Sequence, residues 1–422
     1  MLASDFAILA LSHADRAVMG VAAPLIIADL GFGRPTFGWI LAAVAFTSSP
    51  FAFLGGLLAD KVGPRKVMGW ATLVWSVFTA LTAAGIGFVT LLLIRLFFGA
   101  GEGPQTTATA KILHNWFPKH ELGTAVGIAN AATPLGGVIA TPLVVAILSA
   151  THNNWRVAFV IFGALGVLFT IGWFVVVRDR PGNHPRVSPA ELEHIHADTA
   201  PAAEVRGRRR EGDHRWWRFL AVPAVWATAV AFFGYAWILW TFVNWFPMYL
   251  VQERDVDITG LAVSGAIPWV GGCVGLVLGG LFTDAVARRT GASYASRRWT
   301  VVAGLLLTGL LFALIGVVDG AAGAVALMSA VVFLLYFTGA QYWLIVGEAV
   351  PGASYGAVSG AVQMVATTAA IIAPATTGYL VESAVGWGGT FAIASGIAVV
   401  GSVLLAAFGR LPIQPAGDAS AR

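Results

Sequence analysis

Four ionisable side chains lie in stretches of sequence that are otherwise apolar: Asp15 and Arg16 in one segment, Arg95 and Glu102 in another. Adjacent residues of a helix point about 100° apart, so Asp15 and Arg16 do not face each other as a simple pair. One of them can line a cavity while the other meets a neighbouring helix. Arg95 and Glu102 are seven positions apart, and this spacing puts them roughly 10 Å apart on one helix face.

Two acids and two bases at a similar depth are suited to binding a carboxylate and exchanging protons. Arginine is permanently charged and grips a carboxylate through two parallel hydrogen bonds. A carboxyl group in a medium of low dielectric constant holds its proton more tightly, and a nearby arginine opposes this effect. The alternative is a static buried network that fixes helix packing. Because charged groups inside a membrane are costly and usually functional, we expect a functional site.

The elements that hold these side chains must be membrane-spanning helices. Of the 422 residues, 58% are hydrophobic and 11% are charged, whereas soluble domains average about 25% charged residues. Apolar runs long enough for one bilayer crossing recur along the chain, and the alternation typical of an outer-membrane barrel is absent. The predicted fold class is an all-α membrane protein with twelve transmembrane helices. The predicted spans are residues 5–29, 37–59, 67–85, 86–110, 122–149, 155–177, 219–250, 260–287, 299–318, 320–346, 355–380 and 387–409.

The basic residues indicate the side of the membrane on which each loop lies. With the N-terminus inside, 20 of the 25 Lys and Arg residues fall in cytoplasmic segments, as the positive-inside rule requires. We therefore expect a multi-pass protein of the cell inner (plasma) membrane with both termini in the cytoplasm. The net charge of +4 reflects this topology, and nucleic acid is not an expected partner.

The predicted spans divide into two sets of six around one long polar segment. We expect an N-terminal six-helix bundle, a cytoplasmic linker, a C-terminal six-helix bundle and a cytoplasmic tail. Their predicted bounds are residues 1–177, 178–218, 219–410 and 411–422. Within the linker, Ser188 to Glu191 form a capping box that predicts a short helix.

The two bundles are predicted to be pseudo-symmetric, because a sequence pattern recurs between them. GGLLADKVGPRK begins at Gly55 and GGLFTDAVARRTG at Gly279, after the second span of each half. A weak internal repeat of this kind is typical of a transporter built from two parallel halves.

The first copy of this pattern, at residues 56–66, carries small, acidic and basic residues at a predicted helix end. A glycine allows close helix approach, and an acid at this place can bond the N-terminus of a neighbouring helix. The loop resembles the signature G-x-L-a-D-r-x-G-r-k of the major facilitator superfamily. The resemblance implies a latch on the cytoplasmic gate, formed by Gly56, Asp60, Gly63, Arg65 and Lys66.

Four further passages resemble the anion:cation symporter family of that superfamily, which includes sialin and bacterial carriers of galactonate, hexuronates and phthalate. They are HADRAVMGVAAPLI, RLFFGAGEGPQ, NWFPKHELGTAVGI and RPGNHPRVSPAELEHI. In the first passage, His13 replaces the tyrosine that often precedes the family's Asp-Arg pair. In the third, Glu121-Leu122 replaces the family's usual Glu-Arg. His13 is expected either to tune the site or to make a helix contact.

The family resemblance also implies roles for single residues. It places Arg16 on the substrate anion and assigns Asp15 and Glu102 to proton coupling, with Arg95 holding Glu102 in one state. It further implies that the positions of Ser48, Thr133 and Gln363 face the substrate.

The second half of the sequence supplies further candidates for substrate contact, chiefly Tyr235 and Gln341. Aromatic residues of a span more often pack or face lipid than bind a ligand. Glu348 is expected to be a gate or a helix cap. The remaining candidates are Trp237, Asn244, Tyr342 and Trp343.

Three functions are compared. The first is proton-coupled symport, by alternating access, that imports a small organic anion such as a sugar acid or an aromatic acid. The second is export or exchange by the same fold, and the third is a membrane sensor or enzyme. We do not expect an enzyme, a metal site or a cofactor other than the coupling proton, because no soluble domain and no metal-ligand spacing occur. The expected partners are the organic anion, protons and the lipid bilayer, for a monomeric protein. The short side chains Ser48 and Thr133 and the many aromatic residues favour an aromatic or less hydroxylated acid.

Overall fold

The computed structural model describes residues 1–196, 216–290, 293–350 and 352–410, and within these ranges the chain forms helices and no strand. The helices of the first half are α1 (Leu2–Leu30), α2 (Arg34–Val62), α3 (Pro64–Leu81), α4 (Phe88–Glu102), α5 (Gln105–Trp116), α6 (Lys119–Ala150) and α7 (Trp155–Val176). A short helix, α8 (Pro189–His196), follows. The helices of the second half are α9 (Pro223–Glu253), α10 (Leu261–Ser264), α11 (Ile267–Thr290), α12 (Ser293–Leu314), α13 (Ala321–Gly339), α14 (Gln341–Ala349), α15 (Gly352–Glu382) and α16 (Gly386–Phe408).

Eleven segments of the described chain are helical, long and apolar enough to cross a membrane. The remaining predicted span, 86–110, is divided into α4 and α5 at Gly103-Pro104. Proline lacks an N–H group and its ring clashes with the preceding turn, so the helix is interrupted there. A Cβ atom on Gly103 would lie 2.4 Å from the carbonyl oxygen of Ser48, so the break also lets α4 pack tightly against α2.

The two halves of the chain meet closely at one end of the bundle, where Glu382 ends α15. A Cβ atom on Gly38 of α2 would lie 2.6 Å from the carbonyl oxygen of Pro374 of α15, and one on Gly20 of α1 would lie 2.6 Å from that of Val243 of α9. The backbone N–H of Arg34 donates to Glu382 Oε1 at 2.6 Å. We call this the Glu382 end.

The opposite end, where Gly63 joins α2 to α3, is looser. Positions for a Cβ atom on Gly123 and Gly127 of α6, and on Gly356 and Gly360 of α15, have no neighbouring atom of the described residues within 4 Å. We call this the Gly63 end. The close approaches between the halves described above therefore lie toward the Glu382 end, and the four glycine positions at the Gly63 end have open space beside them.

The short helix α8 begins as the capping box predicts. The backbone N–H of Glu191 donates to Ser188 Oγ at 3.1 Å. The central part of the predicted linker, 197–215, and the predicted tail, 411–422, lie outside the described residues.

Candidate functional site

The centre of the site is an ion pair between α1 and the last residue of α4. Arg16 Nη2 lies 2.9 Å from Glu102 Oε2. Ser12, one turn before Arg16, donates its hydroxyl to Glu102 Oε1 at 2.6 Å. The Glu102 side chain is 2% exposed, whereas that of Arg16 is 25% exposed. A buried carboxylate therefore neutralises an arginine that remains partly accessible, and the ion pair leaves that arginine one open side.

Asp15 lies on another side of α1 and is only 1% exposed. It interacts electrostatically with Glu102 and Arg95 and lies beside Thr79 and Trp75 of α3. Neither of its carboxylate oxygens makes a hydrogen bond of normal geometry within the described residues. Of the two sequence alternatives for the adjacent pair, Arg16 is therefore the accessible residue and Asp15 the one that meets a neighbouring helix.

Arg95 is buried on α4 and does not pair with Glu102. It donates from Nη2 to Thr82 Oγ1, and its guanidinium carbon lies 4.8 Å from the ring centroid of Phe98 and 5.5 Å from that of Phe159. The pairing with Glu102 that the family resemblance implies is not formed in this conformation. The reason is geometric, because Arg16 reaches Glu102 from the facing helix while Arg95 turns toward α7.

The second half contributes an aromatic side chain to Arg16. The guanidinium carbon of Arg16 lies 5.0 Å from the ring centroid of Trp240 on α9. This distance is typical of a cation–π contact. Tyr336 of α13 also lies within electrostatic range of Arg16. Arg16 is therefore contacted by both halves of the protein.

Two acids, Asp60 and Asp179, make polar contacts at the signature loop of the Gly63 end. Asp60 pairs with Lys111 of α5, its Oδ1 lying 2.7 Å from Lys111 Nζ. The acid that bonds a helix N-terminus is Asp179, whose Oδ1 accepts from the backbone N–H of Arg65 at 2.8 Å. This position suits the helix dipole of α3. The latch role of Asp60 that the resemblance implies remains a prediction.

At two positions of this pattern, Gly55 and Gly63, the structure requires a glycine because of a close contact or a positive φ. Gly63 has a φ of +94°, and a Cβ atom there would lie 2.7 Å from Asp179 Oδ1. Close approach to α5 occurs at Gly55, where a Cβ atom would lie 2.5 Å from Pro104, whereas one on Gly56 would lie 3.7 Å from Thr107. Gly55 and not Gly56 is therefore the residue that allows the close approach.

The basic residues of the loop differ in their surroundings. Arg65 Nη2 donates to the carbonyl oxygen of Phe174 at 2.5 Å, and Trp173 Nε1 donates to that of Arg65 at 2.9 Å. Lys66 is exposed. Arg65 therefore ties the loop to the end of α7.

Comparison with known proteins decides the family. The model of the Major Facilitator Superfamily matches residues 6–374. The chain belongs to the major facilitator superfamily. Members of this superfamily are membrane transporters and not enzymes, so the enzyme among the functions compared above is excluded.

Individual relatives cover nearly the whole chain. The hexuronate transporter of Bacillus subtilis is 36% identical over 96% of this chain and 94% of its own length. A probable sulfoacetate transporter of Cupriavidus necator is 31% identical, over 93% of this chain and 89% of its own length. Among solved structures, a D-xylose–proton symporter has a TM-score of 0.77 and covers 97% of this chain and 98% of its own, at 15% identity. That structure supports the fold, which is the two-halved one of the superfamily.

Three residues that the family resemblance places at the substrate lie on different helices. Ser48 of α2 and Thr133 of α6 are partly buried, and Gln363 of α15 is exposed. Gln363 Nε2 donates to Thr367 Oγ1 at 3.2 Å. Hydrogen bonds from these three side chains to Arg16 are absent from the described part of the chain.

The other two predicted substrate ligands, Gln341 and Tyr235, pack between helices of the second half. Gln341 is buried, and its Nε2 donates to the carbonyl oxygen of Gly279 at 3.5 Å. The ring of Tyr235 lies 5.4 Å from that of Phe232 and 5.5 Å from that of Tyr342. Both residues hold helices of the second half together in this conformation.

The remaining candidates have simple surroundings. His13 Nδ1 lies 2.9 Å from the carbonyl oxygen of Leu9 on its own helix. Asn244 Nδ2 donates to the carbonyl oxygen of Trp240 at 2.8 Å. Glu348 forms an ion pair with Arg297 of α12 at the end of α14.

Sequence reasoning missed several residues of the site. Ser12 was detectable, because it lies four positions before Arg16 and therefore on the same face. Asp5 lies on that face seven positions before Ser12. It is buried and accepts a hydrogen bond from Thr109 Oγ1 at 3.0 Å. Nothing in the sequence distinguished Trp240 from the other aromatic residues of the spans.

Proposed function

We propose that this protein is a proton-coupled importer of a hexuronate-type organic anion in the cell inner membrane. The observation that carries the proposal is the ion pair between Arg16 and Glu102. Arg16, the base suited to a substrate carboxylate, forms an ion pair with the acid Glu102 in this conformation. Substrate binding and the charge on that acid are therefore in competition.

A transport cycle follows from this competition. Protons from outside neutralise Glu102 and Asp15, which frees Arg16 for the incoming carboxylate. A carboxylate forms two parallel, charge-assisted hydrogen bonds with arginine. When the site opens to the cytoplasm, the protons leave, and Glu102 competes again for Arg16 so that the substrate departs. Arg95 provides a fixed positive charge near Asp15 throughout. We propose no cofactor other than the proton.

Orientation follows from the basic residues. The Gly63 end and both termini are assigned to the cytoplasm because most Lys and Arg residues lie in segments on that side. The conformation described above, closed at the Glu382 end, is then open to the cytoplasm.

The substrate class is supported by the relatives. The Bacillus subtilis relative at 36% identity carries hexuronates by its name. In place of the less hydroxylated acid that Ser48 and Thr133 favoured, we therefore propose a hexuronate.

Uptake into proteoliposomes tests the function. Purified protein is reconstituted, and labelled D-glucuronate is added with an inward proton gradient, without a gradient, and with a protonophore. We expect accumulation only with the gradient, and exchange of internal for external substrate in all three cases. Exchange without gradient-driven accumulation would favour the exchanger, and absence of both would contradict the proposal.

A further inference from the structure

Trp240 is a residue of the second half whose aromatic ring contacts Arg16. Its ring centroid lies 5.0 Å from the Arg16 guanidinium carbon, and the residue is only partly buried. Glu102 holds Arg16 from the first half at 2.9 Å. A substrate carboxylate that displaces Glu102 therefore enters a site with an indole ring on one wall.

Trp240 lies where the opening from the Gly63 end stops, as its position along α9 indicates. The backbones of α1 and α9 touch one turn further toward the Glu382 end, where a Cβ atom on Gly20 would lie 2.6 Å from the carbonyl oxygen of Val243. Arg16 and Trp240 precede Gly20 and Val243 by four and three residues. A ligand that enters from the Gly63 end and reaches Arg16 is thus stopped beside Trp240.

A polar group of the second half lies within electrostatic range of Arg16. It is the hydroxyl of Tyr336, which has no hydrogen-bond partner among the described residues, although the residue is only 7% exposed. A buried hydroxyl without a partner is unfavourable unless a ligand or water bonds it. The cation of Arg16, the indole ring that it contacts and, within electrostatic range, the Tyr336 hydroxyl are therefore three features of this part of the protein.

These three features match a sugar acid in its ring form. One face of a pyranose ring carries C–H bonds and lies flat against an aromatic side chain, while its edge carries hydroxyl groups and, in a hexuronate, one carboxylate. An open-chain sugar acid has the same carboxylate and hydroxyl groups but offers no flat face. A two-carbon acid reaches Arg16 but does not cover the indole.

We propose that Trp240 is a specificity-determining residue that selects a ring-shaped uronate over an open-chain sugar acid by stacking on the ring while Arg16 holds the carboxylate. The inference rests on the proposed function, because it assumes that Arg16 binds the substrate. It adds the shape of the substrate and a residue that selects it.

Two acids of nearly equal size and charge test the proposal. D-Glucuronate is largely a pyranose in water and D-gluconate is its open-chain counterpart, each with six carbons and one carboxylate. Calorimetry on the full-length protein in detergent measures the Kd of both. The decisive quantity is the ratio of the gluconate Kd to the glucuronate Kd.

We expect the wild-type protein to bind glucuronate more tightly than gluconate. Trp240→Leu keeps an apolar side chain but removes the aromatic face, so it should weaken glucuronate binding roughly three- to tenfold and change gluconate binding less than about twofold. Trp240→Phe keeps an aromatic face and should retain most of the preference. The matched control is Trp226→Leu, an exposed tryptophan about 20 Å away along the same helix, which should leave both values unchanged.

Each outcome has a separate meaning. Equal wild-type affinity for the two acids overturns the inference and requires no variant to fold. An equal loss of both affinities in Trp240→Leu also overturns it, because it would indicate that Trp240 only positions Arg16. If the wild-type protein binds neither acid, the proposed function itself fails. It also fails if Arg16→Ala binds both acids as tightly as the wild-type protein does, because Arg16 would then not bind the substrate.

Discussion

Glu102 and Arg16 form an ion pair in which the buried carboxylate on α4 lies 2.9 Å from the guanidinium group of the partly exposed arginine on α1. Ser12 fixes the second carboxylate oxygen at 2.6 Å. Because Glu102 neutralises the charge of Arg16, a substrate carboxylate binds more strongly when Glu102 is displaced or protonated. In the proposed function, this relationship links anion recognition to the proton, and the predictions below follow from that proposal.

Arg16 should be indispensable for anion binding. Arg16→Ala should abolish D-glucuronate binding. Arg16→Lys keeps the charge but loses the planar fork, so its Kd should rise by at least about tenfold. Isothermal calorimetry measures both, with Arg156→Lys as the control, because Arg156 pairs with Asp29 at the Glu382 end. Wild-type affinity in Arg16→Ala would remove Arg16 from the site.

The loop at the Gly63 end should depend more on Asp179 than on Asp60. Asp179→Ala removes the carboxylate that accepts from the N-terminus of α3, which is worth about 0.5–2 kcal/mol for a capping residue. Asp60→Ala removes an exposed ion pair with Lys111, which is worth about 0–1 kcal/mol. Scanning fluorimetry in detergent should therefore give the lower melting temperature for Asp179→Ala. The reverse order would show that the signature acid is the stronger latch.

The Glu382 end should open more often when Glu382 is removed. Its carboxylate accepts from the backbone N–H of Arg34 at 2.6 Å, and a carboxylate at a helix N-terminus is worth about 0.3–1 kcal/mol. Glu382→Ala should therefore raise the open population roughly two- to fivefold. The measurement is maleimide labelling of Ala375→Cys from outside, in a Cys273→Ser background.

The control for that experiment is Glu253→Gln, an exposed carboxylate at the end of α9, which should leave the labelling rate unchanged. A rate that is the same with and without Glu382 would show that other contacts hold this end closed.

Asp15 should be needed for coupling to the proton gradient. Asp15→Asn is permanently uncharged, so gradient-driven accumulation of glucuronate should be lost, and exchange should also slow because Asp15 is buried beside Arg95. Proteoliposome uptake measures both quantities, and Asp319→Asn, an exposed loop residue, is the control. Normal accumulation in Asp15→Asn would assign the proton to another group.

The fold could be predicted from the sequence because its signals are local. Apolar runs of about 20 residues define the spans without knowledge of packing, whereas the orientation that the basic residues indicate remains a prediction. The break at Gly103-Pro104 was also readable, since proline interrupts a helix. The uninterrupted span 86–110 was predicted from hydrophobicity alone.

The partners within the site could not be predicted in the same way. Sequence spacing gives the depth of Arg95 and Glu102 but not the rotation of α4 against α1, which decides that Glu102 meets Arg16. Asp179 lies 114 positions from Arg65, so only tertiary packing brings them together. Trp240 is one of 16 tryptophans, and it is distinguished by its position against a residue of the other half.

The most direct test of the account compares two transport modes in Glu102→Gln. Glutamine imitates a permanently protonated Glu102, so Arg16 stays free for the substrate and no proton is released. In the same proteoliposomes, with the same labelled glucuronate, the account predicts exchange close to the wild-type rate and no accumulation driven by a pH gradient. Gradient-driven accumulation at the wild-type level in Glu102→Gln would contradict it, because the proton would then be carried without the acid that holds Arg16.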